Sequence, residues 1–119
     1  MTEHEHTLVA DDGRELAATL YEPETWRASV VILGAWAVRR RYYRRFATWL
    51  AKRGFRVLTF DCRGIGDSLK GSVKDEVATT TDWARLDHGA ALDWLAAQPG
   101  AHLVVGHSLG GHPGGARHL

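Results

Sequence analysis

A short segment near the C-terminus combines a nucleophile with the glycines that a tight turn requires. Gly106–Gly110 places Ser108 between glycines two residues before and two residues after it. The apolar run Ala101–Val105 directly precedes this segment and predicts a buried strand. A sharp strand-to-helix turn strains the serine backbone and projects the hydroxyl outward, which suits attack on an ester or amide carbonyl. A glycine-rich loop without chemistry is the alternative interpretation.

Several predicted strands position this turn. Three apolar, β-branched runs predict strands buried on both faces of a parallel sheet, namely Ser29–Leu33, Phe55–Phe60 and Ala101–Val105. Leu16–Tyr21 predicts a further strand after an Asp-Asp-Gly turn signal, and Thr7–Ala10 is its candidate hairpin partner.

Two amphipathic helices alternate with these strands. The apolar face of the first helix comprises Tyr43, Phe46, Ala47 and Leu50. This helix is expected to end at Gly54, where a left-handed cap is favoured. The second helix begins at the predicted N-cap Asp82. Its apolar face comprises Trp83, Leu86, Ala90, Trp94 and Ala97. Alternation of strands and helices predicts right-handed βαβ units and therefore an α/β fold.

The composition is that of an ordinary globular domain. The 119 residues are 45% hydrophobic and 24% charged, and the net charge is +1. Cys62 is the single cysteine, which excludes an intrachain disulfide and favours a reducing compartment. The N-terminal residues lack the pattern of a secretory signal, and no apolar run has the length of a membrane span. We therefore expect a cytoplasmic protein with no membrane span and no nucleic-acid partner.

Three segments carry a resemblance to a known superfamily. They are Tyr42–Ala47, Asp61–Ser68 and Gly106–Gly111, taken together with the order of the predicted elements. The chain resembles the α/β-hydrolase superfamily and, more narrowly, the bacterial serine aminopeptidase or lysophospholipase-like hydrolases. The resemblance spans Leu8–Gly111 and implies the N-terminal half of an α/β-hydrolase fold. That half is a mostly parallel sheet with flanking helices and a leading antiparallel hairpin.

The resemblance implies a role for each residue of the glycine-flanked turn. Ser108 matches the family's nucleophile, and Gly106, His107 and Gly110 complete the nucleophile elbow. The backbone N–H group of Leu109 would donate to the oxyanion of the reaction intermediate.

A second oxyanion donor is expected from another loop. In the family it usually comes from the loop that follows the first buried parallel strand, here at Trp36 or, as the alternative, at Ala35. The implied substrate is a small ester, lipid or peptide. Neither a cofactor nor a metal ion is implied.

The remaining catalytic groups of the family follow the nucleophile in chain order. Residues 112–119 contain no carboxylate side chain, and their proline and glycines oppose a helix. We therefore expect residues 1–111 to form a partial α/β-hydrolase domain and residues 112–119 an irregular tail outside the family pattern. The expected protein is a truncated serine hydrolase that is inactive because the triad acid and histidine are missing. Asp61 is a distant candidate for the acid, although the charges of the Asp61–Asp67 loop are expected to satisfy one another.

An alternative function follows from the last predicted strand. In the family order Ala101–Val105 is an internal strand, whereas here it would form an exposed apolar edge. Such an edge can pair with another chain. The alternative is therefore a non-catalytic binding or oligomerisation module that self-associates through this edge.

Two charged clusters have competing interpretations. Arg39–Arg41, Arg44 and Arg45 indicate either a patch for an acidic partner or a solvated helix face, and the nearly neutral chain favours the solvated face. His4 and His6 would share one face of a strand and are weak candidates for metal ligands, because the sequence specifies no further ligand.

Overall fold

The computed structural model of the protein describes residues 1–34, 38–68 and 83–107, with the backbone alone at positions 83 and 84. Within these ranges five strands form one mixed sheet in the order β1-β2-β4-β3-β5. The strands are β1 (Thr2–Val9), β2 (Glu15–Glu22), β3 (Ala28–Leu33), β4 (Phe55–Phe60) and β5 (Ala101–Gly106). Pairing is antiparallel for β1 with β2 and for β2 with β4, whereas β3 is parallel to both β4 and β5. The predicted α/β sheet with a leading hairpin is confirmed.

Helical segments flank the sheet. They are a 3₁₀ turn (Arg40–Tyr43) leading into α1 (Arg44–Ala51), a second 3₁₀ turn (Gly66–Ser68), and a π-helical turn (Trp83–Asp87) leading into α2 (His88–Ala96). In the described ranges, no helix has both the length and the apolar character that crossing a membrane requires.

The leading hairpin is longer than the sequence predicts. β1 and β2 pair from Thr2 opposite Glu22 to Val9 opposite Glu15, so the pairing extends well before the predicted start at Thr7. The polar N-terminal residues lack the apolar alternation that identifies a strand. They become a strand because β2, whose own residues are mostly buried, presents a pairing partner along its full length.

The central strands separate two apolar layers. Every residue of β3 is buried, as are the last four residues of β4. One cluster includes Leu33, Leu58 and Leu95 and lies between the sheet and α2. The other includes Ile32, Val57 and Ala47 and lies between the sheet and α1. Both faces of these strands are therefore covered, which explains their continuous β-branched sequences.

Helix α1 packs through a narrower face than the sequence predicts. Tyr43, Ala47 and Ala51 are buried, and Gly54 has a φ of 88° that ends the helix as expected. The sequence predicts that Phe46 faces the core, but this prediction is wrong because the Phe46 side chain is 41% exposed. The buried face of α1 therefore consists mainly of its alanines, and Phe46 lies outside that face.

The buried face of α2 is also rotated from the predicted one. Its buried side chains include His88, Ala91, Leu92 and Leu95, whereas Ala97 is exposed and Trp94 is half-buried. Asp87, directly before the helix, is fully buried in an ion pair with Arg63 and lies on the same side of the helix as the buried residues that follow it. The predicted N-cap Asp82 lies outside the described residues.

Strand β5 is exposed, although its sequence predicts burial. Leu103 is 47% exposed, and no residue of β5 is fully buried. The prediction of a strand buried on both faces is wrong because burial depends on neighbours as well as on composition, whereas the exposed apolar edge expected from the family order is present in the described residues. In the described part of the chain β5 pairs with β3 along one side and forms the edge of the sheet.

Candidate active site

The predicted site lies where two parallel strands end side by side. β3 and β5 are in register from Ala28 opposite Ala101 to Leu33 opposite Gly106. The backbone N–H of His107 then donates to the carbonyl of Leu33, with a nitrogen-to-oxygen distance of 3.0 Å. Ligand sites in open α/β sheets lie outside the carboxyl ends of parallel strands. The loops that follow β3 and β5 therefore start next to each other, at the edge of the sheet where such sites occur.

The described residues include only part of the predicted machinery. Gly106 is the last residue of β5, and His107 is the first residue of the loop that follows. The nucleophile Ser108, the elbow residue Gly110 and the oxyanion donors Leu109, Trp36 and Ala35 lie outside the described residues. Their roles remain predictions.

His107 is directed toward the start of α1. Its Nδ1 atom and the Tyr43 hydroxyl oxygen form a hydrogen bond of 2.9 Å. The ring of Tyr42 lies parallel to the imidazole at 6.2 Å between centroids, and the ring of Tyr43 meets it edge-on at 5.7 Å. The residue before the predicted nucleophile is therefore held by an aromatic pair, an arrangement that the sequence does not reveal.

Tyr43 also contacts the loop that follows β3. A Cβ atom placed on Gly34 would lie 2.7 Å from Cε2 of the Tyr43 ring. Real Cβ atoms essentially never approach another heavy atom so closely, so this contact requires glycine at position 34. The sequence predicts that Tyr43 packs in the core, but it gives no signal for this second role.

An open groove lies beside His107. It has a volume of about 400 Å³ and runs between α1 and the edge strand β5. Its walls are mostly apolar and aromatic, and they include Tyr42, Phe46 and Val105, with Arg45 as the charged exception. The exposed side chain of Phe46 forms part of this wall.

Asp61 belongs to a buried ion-pair network at the end of β4. Its Oδ1 atom accepts the backbone N–H of Arg40 at 2.6 Å, and its Oδ2 atom accepts both the Arg40 guanidinium and the backbone N–H of Asp67. The Arg40 guanidinium also donates to Thr19 and Glu5. These contacts support a structural role for Asp61 and leave little support for it as a triad acid.

Arg40 corrects the interpretation of the arginine cluster. Its side chain is only 12% exposed, so the prediction of a uniformly solvated helix face is wrong at this position. Burial acts to lower the pKa of Arg40, but the carboxylates of Asp61 and Asp67 outweigh this effect and raise it. Arg44 reaches Glu3 on β1 at 3.1 Å. The cluster thus anchors the start of α1 to the sheet.

A second buried ion pair joins the loop after β4 to α2. The backbone N–H and the Nε atom of Arg63 donate to the two carboxylate oxygens of Asp87, at 2.7 and 2.8 Å. Arg63 Nη1 also donates to Asp12 in the hairpin turn at 2.7 Å. Hydrogen bonds to Asp12 and Asp87 raise the pKa of Arg63, whereas burial raises the pKa of Asp87. Three segments distant in sequence are therefore held together by Arg63.

His88 is a buried titratable group that no sequence pattern indicates. Its side chain is 3% exposed, and neither ring nitrogen has a hydrogen-bond partner in the described part of the chain. The ring lies edge-on to Phe60 at 5.8 Å. Burial lowers the pKa of His88 to about 4, so the imidazole is neutral at pH 7.

The N-terminal histidines lie on strand β1 of the leading hairpin. His4 Nε2 lies 3.6 Å from a carboxylate oxygen of Glu22 on the partner strand. Among residues 1–34, 38–68 and 83–107, no group of three or more histidine, cysteine, aspartate or glutamate side chains could hold a metal ion.

Comparison with known proteins identifies the family. The model of the alpha/beta hydrolase family matches residues 30–119, which is more than half of the chain. The protein therefore belongs to the alpha/beta hydrolase family. No curated protein matches the chain significantly.

Solved structures share the fold across nearly the whole chain. A thermostable carboxyl esterase from Bacillus coagulans is 19% identical with a TM-score of 0.74, and the match covers 95% of this chain and 38% of the esterase. A Pyrococcus furiosus esterase is 24% identical with a TM-score of 0.74, over 94% of this chain and 44% of that enzyme. A lidless serine hydrolase from Xanthomonas campestris is 19% identical with a TM-score of 0.71, over 95% and 54%.

The matched region is an N-terminal portion of the family fold. The chain spans only 38%, 44% and 54% of the lengths of these three enzymes. This agrees with the prediction that the chain corresponds to about the first half of the family's domain.

Proposed function

We propose that the chain supplies the nucleophile portion of a serine hydrolase, in which Ser108 attacks an ester or amide carbonyl. The observation that carries the proposal is the adjacent ending of β3 and β5, joined by the hydrogen bond from the His107 N–H to the Leu33 carbonyl. A nucleophile that follows His107 would then attack the carbon of a carbonyl group whose oxygen accepts a hydrogen bond from the loop after Leu33. The esterase activities named for two of the similar structures favour an ester substrate.

The 119-residue chain alone is proposed to be a weak catalyst. A serine nucleophile needs a histidine base that is oriented by a buried acid. Asp61 and Asp87 are buried, but both are engaged by arginines, so neither is available to orient a base. The oxyanion hole and substrate binding together still accelerate acyl transfer by about 10³-fold over water in enzymes that lack a triad residue. We therefore expect slow reaction at Ser108.

Labelling with a fluorophosphonate probe tests both parts of this proposal. The wild-type protein should react slowly with the probe, and mass spectrometry should locate the adduct on Ser108. The Ser108→Ala variant should give no adduct, while Ser68→Ala controls for a serine that is buried and hydrogen-bonded to the Asp61 carbonyl. Equal labelling of Ser108→Ala, or no wild-type labelling after long exposure, would refute the nucleophile. Rapid labelling would instead refute the expected weakness.

The exposed edge strand supports a second candidate function. Leu103 projects from β5 with 47% of its surface exposed, and the strand pairs with β3 on one side in the described part of the chain. Exposed apolar edge strands pair readily with other strands. We propose that this edge mediates association between two copies of the chain.

A further inference from the structure

We propose that Tyr43 is a positioning residue that couples the loop after β3 to the loop after β5. The inference deepens the proposed function and rests on it, because these are the loops expected to supply the oxyanion donor and the nucleophile. Tyr43 itself would touch neither substrate nor reacting atoms. Its effect would be exerted through Gly34 and His107.

The first contact is polar and holds the nucleophile loop. The Tyr43 hydroxyl oxygen lies 2.9 Å from Nδ1 of His107, the residue that directly precedes Ser108. The backbone of His107 is fixed separately by its hydrogen bond to the Leu33 carbonyl. With both the main chain and the side chain of His107 held, the direction in which the chain continues into Ser108 is restricted.

The second contact is steric and holds the opposite loop. The Tyr43 ring approaches Gly34 so closely that a Cβ atom there would lie 2.7 Å from Cε2 and 3.1 Å from the hydroxyl oxygen. Gly34 is the first residue after β3, and Trp36 and Ala35 follow it. The same ring that bonds His107 therefore determines where the candidate oxyanion loop begins.

The position of Tyr43 suits a rigid coupling. The residue is buried and ends the 3₁₀ turn that leads into α1. This turn is anchored to the sheet by Arg40, which pairs with buried Asp61. The neighbouring Tyr42 also stacks on His107, but it is 67% exposed. Of these two tyrosines, only Tyr43 is buried and holds His107 through its hydroxyl group, so we assign the coupling to Tyr43.

The functional consequence follows from the precision that acyl transfer requires. A displacement of about 1 Å in a reacting group can cost about 100-fold in rate. Removal of one hydrogen bond leaves the aromatic packing in place, so we expect a smaller loss. Tyr43→Phe should reduce the rate of Ser108 labelling by the fluorophosphonate about fivefold.

A matched control separates positioning from general stability. Tyr21 is another buried tyrosine, on β2 and outside the two loops. Tyr21→Phe should leave the labelling rate unchanged even if its urea midpoint falls as far as that of Tyr43→Phe. The double variant Tyr43→Phe/His107→Leu should label no more slowly than His107→Leu alone, because both substitutions remove the same hydrogen bond.

A spectroscopic measurement tests the hydrogen bond independently of reactivity. The ¹⁵N chemical shift of His107 Nδ1 should change in Tyr43→Phe and stay constant in Tyr21→Phe. An unchanged shift in Tyr43→Phe would overturn the inference. A changed shift with an unchanged labelling rate would overturn the positioning role while leaving Ser108 as the nucleophile. A changed shift in a protein whose Ser108 never labels would overturn the proposed function, and the positioning role with it.

Discussion

Lowering the pH from 7 to 5 should weaken the folded state because His88 is buried as a neutral imidazole without a hydrogen-bond partner in the described part of the chain. The folded protein holds the pKa of His88 at about 4, whereas the ordinary value is 6.5. Between these two values the unfolded chain binds a proton that the folded chain does not bind. The contribution of His88 to stability is therefore fully present above pH 6.5 and is lost as the pH falls toward 4.

The expected loss is large enough to measure. One pKa unit corresponds to about 1.4 kcal/mol, so the full difference for His88 is about 3 kcal/mol, of which about 2 kcal/mol is lost by pH 5. Burial raises the pKa of the neighbouring Asp87, and protonation of that carboxylate favours the folded state as the pH falls. The figure for His88 is therefore an upper bound on the net change.

Urea unfolding followed by tryptophan fluorescence at pH 7 and pH 5 tests this reasoning. A loss of about 2 kcal/mol should lower the urea midpoint by about 1 M for a domain of this size. In His88→Leu the difference between the two pH values should largely disappear, since leucine fills the site without titrating. His102→Leu, which removes an exposed histidine of β5, should retain the difference. A wild-type midpoint that does not change with pH, or an undiminished difference in His88→Leu, would refute the argument.

Two further predictions concern the ion-pair network and the sheet edge. Asp61→Asn should lower the free energy of unfolding in urea by about 3 kcal/mol, because it leaves the Arg40 guanidinium buried without its main carboxylate. The side chain of Asp67 is 75% exposed, so Asp67→Asn should lower it by less than about 1 kcal/mol. Equal losses would contradict the assignment of Asp61 as the main partner. Leu103→Lys should shift the protein toward monomer in sedimentation experiments, while Val9→Lys on the opposite edge of the sheet should not. A wild-type protein that stays monomeric at high concentration would exclude association through β5.

Much of the sheet could be predicted because its signals are local. The β-branched runs of β3 and β4 identify buried strands whatever surrounds them, and Gly54 marks the end of α1. The exposure of β5 could not be predicted from composition, and the expectation of an exposed edge rests on the family order of the strands. Its composition is that of an internal strand, but burial depends on what lies beside it.

The sequence predicts the motif of the candidate site but not the residues that hold the motif in place. The glycine-flanked serine identifies the nucleophile loop from sequence, although Ser108 itself lies outside the described residues. Tyr43 and Arg40 could not be singled out, because their roles depend on which residues the sheet register brings beside them. The sequence places five arginines at or near the start of α1, but it does not indicate which of them pairs with Asp61. The fold brings Arg40 to that carboxylate. His88 carries no local signal, since a buried imidazole without a partner follows no sequence pattern.

The strand order has a consequence for how the protein assembles. β2 and β3 are consecutive in the chain, yet β4 lies between them in the sheet. The hairpin of β1 and β2 can form early from its own residues. It becomes part of the same sheet as β3 only when β4 has been synthesised and has paired with both β2 and β3. The middle of the sheet therefore closes through contacts between residues far apart in sequence, which slows folding relative to helical proteins of equal length. During synthesis the edge of β2 that faces away from β1 therefore stays unpaired until β4, which begins at Phe55, is available.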